Sequence, residues 1–324
     1  MNHRLTLAFL PTPVEELHVL ARTLGGPRIL IKRDDLTGLA LGGNKTRKLE
    51  FLLADALARK ATVLVTAGAA QSNHCRQTAA AAAKSGLKCA LVLGGEAPET
   101  PNGNLLLDGL LGAEVYWTAK ERRVERMEVL AEELRGKGER PYVIPYGGSN
   151  GVGALGYYFA MAEALDQLGS LRIHPTAMLV ASSSGGTQAG LVAGAKVAGY
   201  DGKIIGVSID KEERGPEPFE DEMTAIANAT LAGAGSGERV TPEEFDVAYD
   251  YLGAGYGILG DPEREAIRLL ARLEGVLLDP VYTARAMGGL IDMVRRGQIS
   301  SADTVLFWHT GGAPSLFAYA PELR

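Results

Sequence analysis

Short apolar runs alternate with helix-period segments along nearly the whole chain. Residues 29–32, 62–66, 88–93, 114–118 and 142–145 read as strands, as do 177–180, 203–207, 276–278 and 304–308. Between most of them lie alanine- and leucine-rich stretches with a period near 3.6, such as 77–84 and 158–168. Strands apolar on both faces and separated by helices predict an α/β fold, mostly parallel sheets flanked by helices. No linker divides the chain; segments 94–103 and 231–237 read as surface loops.

Composition narrows the function classes. With 46% hydrophobic and 22% charged residues over 324 positions, the chain has the make-up of a globular protein with a large core. Its 33 basic and 39 acidic residues give a net charge of −6, with no cluster of like charge. Nucleic acid and membrane surfaces are therefore not expected partners. The most charged stretch, 120–140, mixes both signs at helical spacing and reads as a solvated helix face. Cys75 and Cys89 form neither a disulfide framework nor a zinc signature, and five scattered histidines give a metal site no support. The apolar opening at 1–10 meets Pro11 and Pro13 at once, too short for a secretory segment. No run approaches the roughly 20 apolar residues of a membrane span. A cytoplasmic, enzyme-sized protein is expected.

Two glycine loops carry the candidate chemistry. Gly42-Gly43-Asn44-Lys45 stands directly ahead of the apolar-periodic Leu49, Leu52, Leu53 and Ala56. A lysine near a helix N-terminus feels the positive end of the dipole, and burial discourages its protonation further. A neutral amine there can form a Schiff base. Lys32 and Lys48 are nearby alternatives. The second loop, Ser184-Gly185-Gly186-Thr187-Gln188, lies between an apolar strand and a helix. Backbone N–H groups and hydroxyls at such a helix start can bind phosphate, and without a Gly-Lys-Ser/Thr ending a nucleoside triphosphate is disfavoured. One reactive amine and one anion cradle on separate segments suit pyridoxal phosphate (PLP), a phosphate-bearing aldehyde. Gly151, Gly153 and Gly156 fit G-x-G-x-x-G, yet 173–182 holds no acidic residue for a ribose. A turn and close helix packing is the reading there. Gln71-Ser72-Asn73-His74 opens a helix; Ser72 is a good N-cap type, and the same geometry can hold a substrate carboxylate.

In this order the motifs resemble the D-cysteine desulfhydrase and 1-aminocyclopropane-1-carboxylate (ACC) deaminase family of PLP enzymes. The resemblance runs from Pro11-Thr12-Pro13 to Gly311-Gly312. Its most specific stretches are Lys32-Arg33-Asp34-Asp35, residues 42–50 and 71–74, Asp279-Pro280-Val281-Tyr282 and His309-Thr310-Gly311-Gly312. It implies the two-domain tryptophan synthase β-like fold (PLP fold type II). The large domain is expected from residues 1–52 and 160–324, with a smaller α/β domain inserted at 53–159. Lys45 resembles the Schiff-base lysine and proton shuttle, and Ser184, Gly185, Gly186, Thr187 and Gln188 the phosphate cradle. Ser72 resembles the carboxylate contact and a proton-transfer aid, and Asn73 the partner of the ring hydroxyl. Gln71, His74, Thr310 and Gly311 are expected on the substrate, and Tyr256 and Tyr282 on the substrate side of the ring.

After Tyr282, ACC deaminases carry a Glu that faces the pyridine nitrogen, where this chain has Thr283. A carboxylate keeps that nitrogen protonated and the ring a strong electron sink; a threonine hydroxyl does not. Thr283 thus favours β-elimination from a sulfur-containing amino acid and counts against ACC deamination. Release of sulfide from D-cysteine leads, L-cysteate sulfo-lyase chemistry follows, and ACC deamination is third. Arg47, Lys48 and Arg76 are candidate cations for a sulfonate. A non-catalytic binding relative and a nicotinamide-dependent reductase are the readings from other classes. A small amino acid substrate, no metal and a homodimer complete the expectation.

Overall fold

The computed structural model describes residues 4–213 and 215–324; Met1–His3, the head of the opening apolar run, lies outside them. The chain opens with β1 (Val14–Glu16), α1 (His18–Leu24), β2 (Arg28–Arg33) and α2 (Asn44–Ala58). Next come β3 (Val63–Ala69), α3 (Asn73–Lys84), β4 (Lys88–Gly94), α4 (Gly103–Leu110), β5 (Glu114–Thr118), α5 (Arg123–Gly136) and β6 (Pro141–Val143). Then follow α6 (Gly151–Ser170), β7 (Ala177–Ser182), α7 (Gly186–Ala198), β8 (Lys203–Ser208), α8 (Phe219–Gly233) and β9 (Asp246–Ala248). The chain closes with α9 (Asp261–Glu274), α10 (Thr283–Arg295), β10 (Thr304–His309) and α11 (Ala320–Leu323).

Two sheets result. One has six strands in the order β1-β2-β10-β7-β8-β9, the other four in the order β5-β4-β3-β6. Every pairing is parallel except the edge pair β1–β2. Helices cover both faces, which explains why the central strands are apolar throughout: Val63, Leu64, Val65 and Ala67 of β3 are all buried. Separate apolar clusters lie on the two faces of the six-stranded sheet, one around Leu290 and Phe307, the other around Met178 and Trp308.

The four-stranded sheet is built from residues inside the expected 53–159 insertion. The expected junctions, however, fall inside α2 and α6 rather than in loops. We propose two domains on the strength of the two sheets, with those helices as the joint. The glycines of the G-x-G-x-x-G run are part of α6, not of a dinucleotide turn. A Cβ at Gly156 would stand 2.5 Å from Arg47 O, so α6 can approach α2 closely only without side chains there.

One expected strand is absent. Residues 276–278 are apolar coil, with Val276 and Leu278 buried and Leu277 exposed between them, and the Leu277 carbonyl meets His309 Nε2 at 3.0 Å. An apolar run of three residues cannot distinguish a buried strand from buried coil. The edge strands β1 and β9, short and half polar, carry no such run and give no signal. Residues 231–233 continue α8 instead of beginning a loop. Among the described residues no helix is long and apolar enough to cross a membrane.

Candidate active site

Asp34, at the end of β2, organises the ground beneath the site. Its carboxylate is fully buried and accepts hydrogen bonds from Arg47 Nε (2.9 Å) and Nη2 (2.8 Å), Thr12 Oγ1 (2.8 Å), Tyr157 OH (2.6 Å) and Trp308 Nε1 (2.8 Å). Burial alone would raise its pKa, but the Arg47 guanidinium and these donors hold it down to about 2. Arg47 also pairs with Glu163, which binds Lys32 Nζ at 2.6 Å. Lys32 and Arg47 are thereby committed to structure and fix the start of α2.

A cavity opens where α2, α3, the loop after β6, the loop after β7 and the start of α10 converge. Lys45, Ser72, Asn73, His74, Ser184, Gly185, Thr187, Tyr282 and Thr310 all line it. Asn44 joins its two halves, since its Nδ2 donates to Thr187 Oγ1 at 3.0 Å and its N–H to Thr310 O at 2.9 Å. Burial lowers the Lys45 amine to about 8, although the neighbouring Lys48 works the other way. Lys48, pushed well below its ordinary value by burial and by Lys45, reaches Gly147 O (3.2 Å) and Ser149 Oγ (3.1 Å).

At the start of α3, Ser72 Oγ accepts from the Cys75 N–H at 3.2 Å, a helix cap that leaves the hydroxyl proton free to donate. Asn73 is held by Asn104, whose Nδ2 donates to its Oδ1 at 2.8 Å. His74 Nε2 meets Thr66 Oγ1 at 2.9 Å, and that hydroxyl gives its own proton to Ile144 O. The ring therefore donates through Nε2 and keeps Nδ1 as a bare, buried acceptor. Burial depresses its pKa and keeps it neutral.

The residues present suit pyridoxal phosphate. Ser184 Oγ and Ser149 Oγ are 2.8 Å apart, the Gly186 N–H donates to Ser149 Oγ at 3.2 Å, and Ser183 Oγ is buried without a partner among the described residues. These donors, with the first-turn N–H groups of α7, have the chemistry to hold a phosphate dianion. A Cβ at Gly185 would stand 2.6 Å from Met223 Cγ and one at Gly186 2.5 Å from Ser149 Oγ, so glycine is required at both.

Several expected site residues lie elsewhere. Gln188 is turned into the sheet, its Nε2 donating to Asp246 O at 2.8 Å, because a buried amide at that position finds acceptors only there. Gln71 braces the turn before α4, its Oε1 accepting from the Asn104 N–H at 2.9 Å. Gly311 packs on Gly43, where a Cβ would come within 2.7 Å of Gly43 Cα. Thr283 does not line the cavity either: its hydroxyl proton goes to Asp279 Oδ1 at 2.8 Å, and its oxygen accepts from the Asp279 N–H at 2.7 Å. Tyr256 stands behind Tyr282, the two hydroxyls 2.6 Å apart. Its loop is pinned by Arg285, which donates to Gly255 O and Ile258 O and pairs with Glu263 at 2.7 Å. Asn44, Tyr146, Ser149 and Ser183 were not anticipated from the sequence. They sit next to recognised motifs, and adjacency was the available signal.

An amine tuned toward neutrality beside a phosphate cradle, at the junction of two parallel sheets, defines a PLP enzyme of fold type II. The chain belongs to the pyridoxal-phosphate dependent enzymes, whose family model matches residues 5–311. It is 44% identical over 327 residues to a D-cysteine desulfhydrase of Klebsiella pneumoniae (strain 342), covering 99% of this chain and 97% of that one. A solved structure described as an ACC deaminase homologue superposes with a TM-score of 0.89 at 37% identity, over 99% of this chain and 95% of that one. A pyridoxal 5'-phosphate-dependent aspartate racemase shares the fold, with a TM-score of 0.67 at 20% identity over 93% and 90% of the two chains.

Proposed function

We propose that the protein is a D-cysteine desulfhydrase, releasing pyruvate, ammonium and hydrogen sulfide. The observation that carries this reading is the buried Lys45 amine, lowered to about 8, facing a cavity whose wall, among the described residues, holds no carboxylate. The D-cysteine desulfhydrase relative supports the substrate.

Bound pyridoxal phosphate supplies an electron sink for the pair left on Cα when its proton departs. The Ser72 hydroxyl and the N–H groups at the start of α3 hold the substrate carboxylate. Lys45, its pKa lowered to about 8, takes the Cα proton in its neutral form. The Cβ–S bond then breaks with its electron pair leaving on sulfur. Burial keeps the Tyr256 and Tyr282 phenols protonated, so Tyr282 can pass a proton to the departing thiolate and recover one through Tyr256. The 2-aminoacrylate released adds water and yields pyruvate and ammonium. Thr310 O and Asn44 hold the start of α2, and with it Lys45, against the cradle.

The competing leaving groups fit less well. A sulfonate is a permanent anion and wants a free cation, but Arg47 is locked by Asp34 and Glu163 and Arg76 donates to Gly42 O at 2.7 Å. Neither reaches the cavity wall. Cyclopropane opening wants a strong electron sink, and among the described residues the cavity wall offers no acid to protonate a ring nitrogen.

The test is to incubate the holoenzyme with D-cysteine, L-cysteine, L-cysteate, D-serine and ACC, then quantify keto acid, sulfide and sulfite. Sulfide and pyruvate from D-cysteine in equal amounts are expected, and Lys45→Ala should abolish both along with the borohydride-bleachable yellow colour. Sulfite from L-cysteate as the dominant product would replace this reading. The same reading takes the enzyme as a cytoplasmic homodimer acting in sulfur metabolism. Sedimentation of the holoenzyme at twice the monomer mass is the expected result.

A further inference from the structure

One ring in the cavity wall takes no part in the chemistry above. Tyr146 follows β6 and faces the same space as Lys45, Ser72 and Tyr282. Its backbone is fixed by the next two residues. Gly147 and Gly148 have φ of 66° and 62°, and a Cβ at Gly147 would collide with Ser184 Oγ. Its face is covered by Arg123, whose Cζ lies 5.4 Å from the ring centroid and whose Nε donates to Lys120 O at 2.7 Å. Its hydroxyl faces Tyr256, which is hydrogen-bonded in turn to Tyr282. A ring fixed at its backbone, covered on its face and backed by a second tyrosine cannot swing aside for a larger group.

We infer that Tyr146 is the specificity-determining wall of the subsite that receives the substituent on Cβ, limiting it to a small group such as a thiol. This rests on the reading of the enzyme as acting on β-substituted amino acids. With the substrate amine directed to the Lys45 side and the carboxylate held at the start of α3, the substituent is left facing the tyrosines. Among the described residues of the cavity wall, Tyr146 and Tyr282 are the two tyrosine rings. Arg123 itself does not line the cavity, so the Tyr146 ring stands between its guanidinium and the substrate. The ring thus does two things: it limits size, and it screens a cation that would otherwise welcome an anionic substituent.

Binding to the holoenzymes of wild type, Tyr146→Phe, Tyr146→Ala and Tyr146→Val is measured by calorimetry with alanine and norvaline. These have no leaving group and differ only in side-chain length; the enantiomer that wild type binds is used. The wild type should prefer alanine. Tyr146→Ala and Tyr146→Val should shrink that preference by about tenfold or more, the scale on which a pocket senses one or two methylenes. Tyr146→Phe, which keeps the ring, should hold it within about threefold. Tyr146→Ala should also gain affinity for cysteate relative to alanine as Arg123 is uncovered. An unchanged alanine-to-norvaline ratio in whichever of the Ala and Val variants retains its cofactor absorbance and cooperative melting overturns the proposal. Wild-type failure to release sulfide from D-cysteine would instead sink the desulfhydrase reading, while the binding ratio would still decide the role of Tyr146.

Discussion

The side chains of Lys45 and Lys48, one turn apart on α2, are both buried, and Lys45 disfavours a charge on Lys48. Two ammonium groups buried this close repel each other, which opposes charging both at once. Lys48 is pushed well below its ordinary value, and Lys45 keeps a value of about 8. At pH 7 that shift raises the neutral fraction of Lys45 from roughly one in 3,000 to roughly one in ten. Capture of pyridoxal phosphate by the apoenzyme should therefore speed up with pH and level off above about pH 8. Because Lys48 raises the Lys45 value, Lys48→Met should move the midpoint to lower pH. Stopped-flow absorbance during reconstitution measures both, and a rate independent of pH between about 6 and 9 would refute the tuning.

Lys45 also makes the apoprotein's stability depend on pH. Its folded value is depressed below the ordinary 10.5, so below about pH 8 both states bind the proton and the folded state bears the full cost of burying it. Between about 8 and 10.5 only the unfolded chain binds it, and stability rises with pH. Lys45→Met in the apoprotein should thus be stabilising at pH 7, by about 1–3 kcal/mol, with the gain fading towards pH 10.5. Urea titrations of both apoproteins at several pH values would show it. A destabilised variant at pH 7 would mean that the amine is solvated in the empty cavity.

The fold and the site are legible in the sequence where the signal is local. The helix start at Asn44, the cap at Ser72 and the glycine loop before α7 are short motifs whose geometry depends on their own residues, and the structure places all three around one cavity. Residues whose work is set by partners far along the chain were opaque. Gln188 belonged to a recognised motif, yet its amide is claimed by carbonyls of β8 and the start of β9. Thr283 followed the Asp279-Pro280-Val281-Tyr282 motif, yet Asp279 four residues earlier takes its hydroxyl. Tyr146 carries no motif, and only its packing against Arg123 and Tyr256 gives it meaning.

Asp34 should matter to folding more than to chemistry, because neither it nor its partner Arg47 lines the cavity. Asp34→Asn leaves a buried guanidinium with only part of its compensation and should cost about 3–5 kcal/mol in urea unfolding. Its folded pKa, about 2, lies below the ordinary 3.8, so its contribution is fully present above pH 4 and is lost as pH falls through about 2. The acid limb of the wild-type stability curve should flatten in the variant. A cost below about 1 kcal/mol would mean that the network relaxes around the amide.

Ser72 combines two roles that one substitution can separate. As the cap of α3 its loss should cost about 1 kcal/mol, read as a lower melting temperature of the apoprotein. As the expected carboxylate donor its loss should raise KM for D-cysteine by about tenfold, the scale of a hydrogen bond to a charged group. Ser72→Gly keeps most of the capping geometry but not the hydroxyl, so it should retain more stability than Ser72→Ala while losing as much affinity. Equal KM values for Ser72→Gly and wild type would remove the hydroxyl from the substrate site.

The cradle can be tested with a control drawn from its own helix. Gly185 begins α7 at φ 71° and Gly199 ends it at φ 67°, both in the left-handed region where a Cβ costs about 1–2 kcal/mol. A Cβ at Gly199 meets nothing within 4 Å, whereas one at Gly185 presses on Met223 beside the Ser183 and Ser184 donors. Gly199→Ala should therefore lower the melting temperature and leave affinity for pyridoxal phosphate as it was. Gly185→Ala should lower both, because strain at the loop displaces the N–H groups that face the phosphate. Equilibrium dialysis of the two apoproteins against the cofactor distinguishes them, and equal affinities would place the phosphate somewhere other than the start of α7.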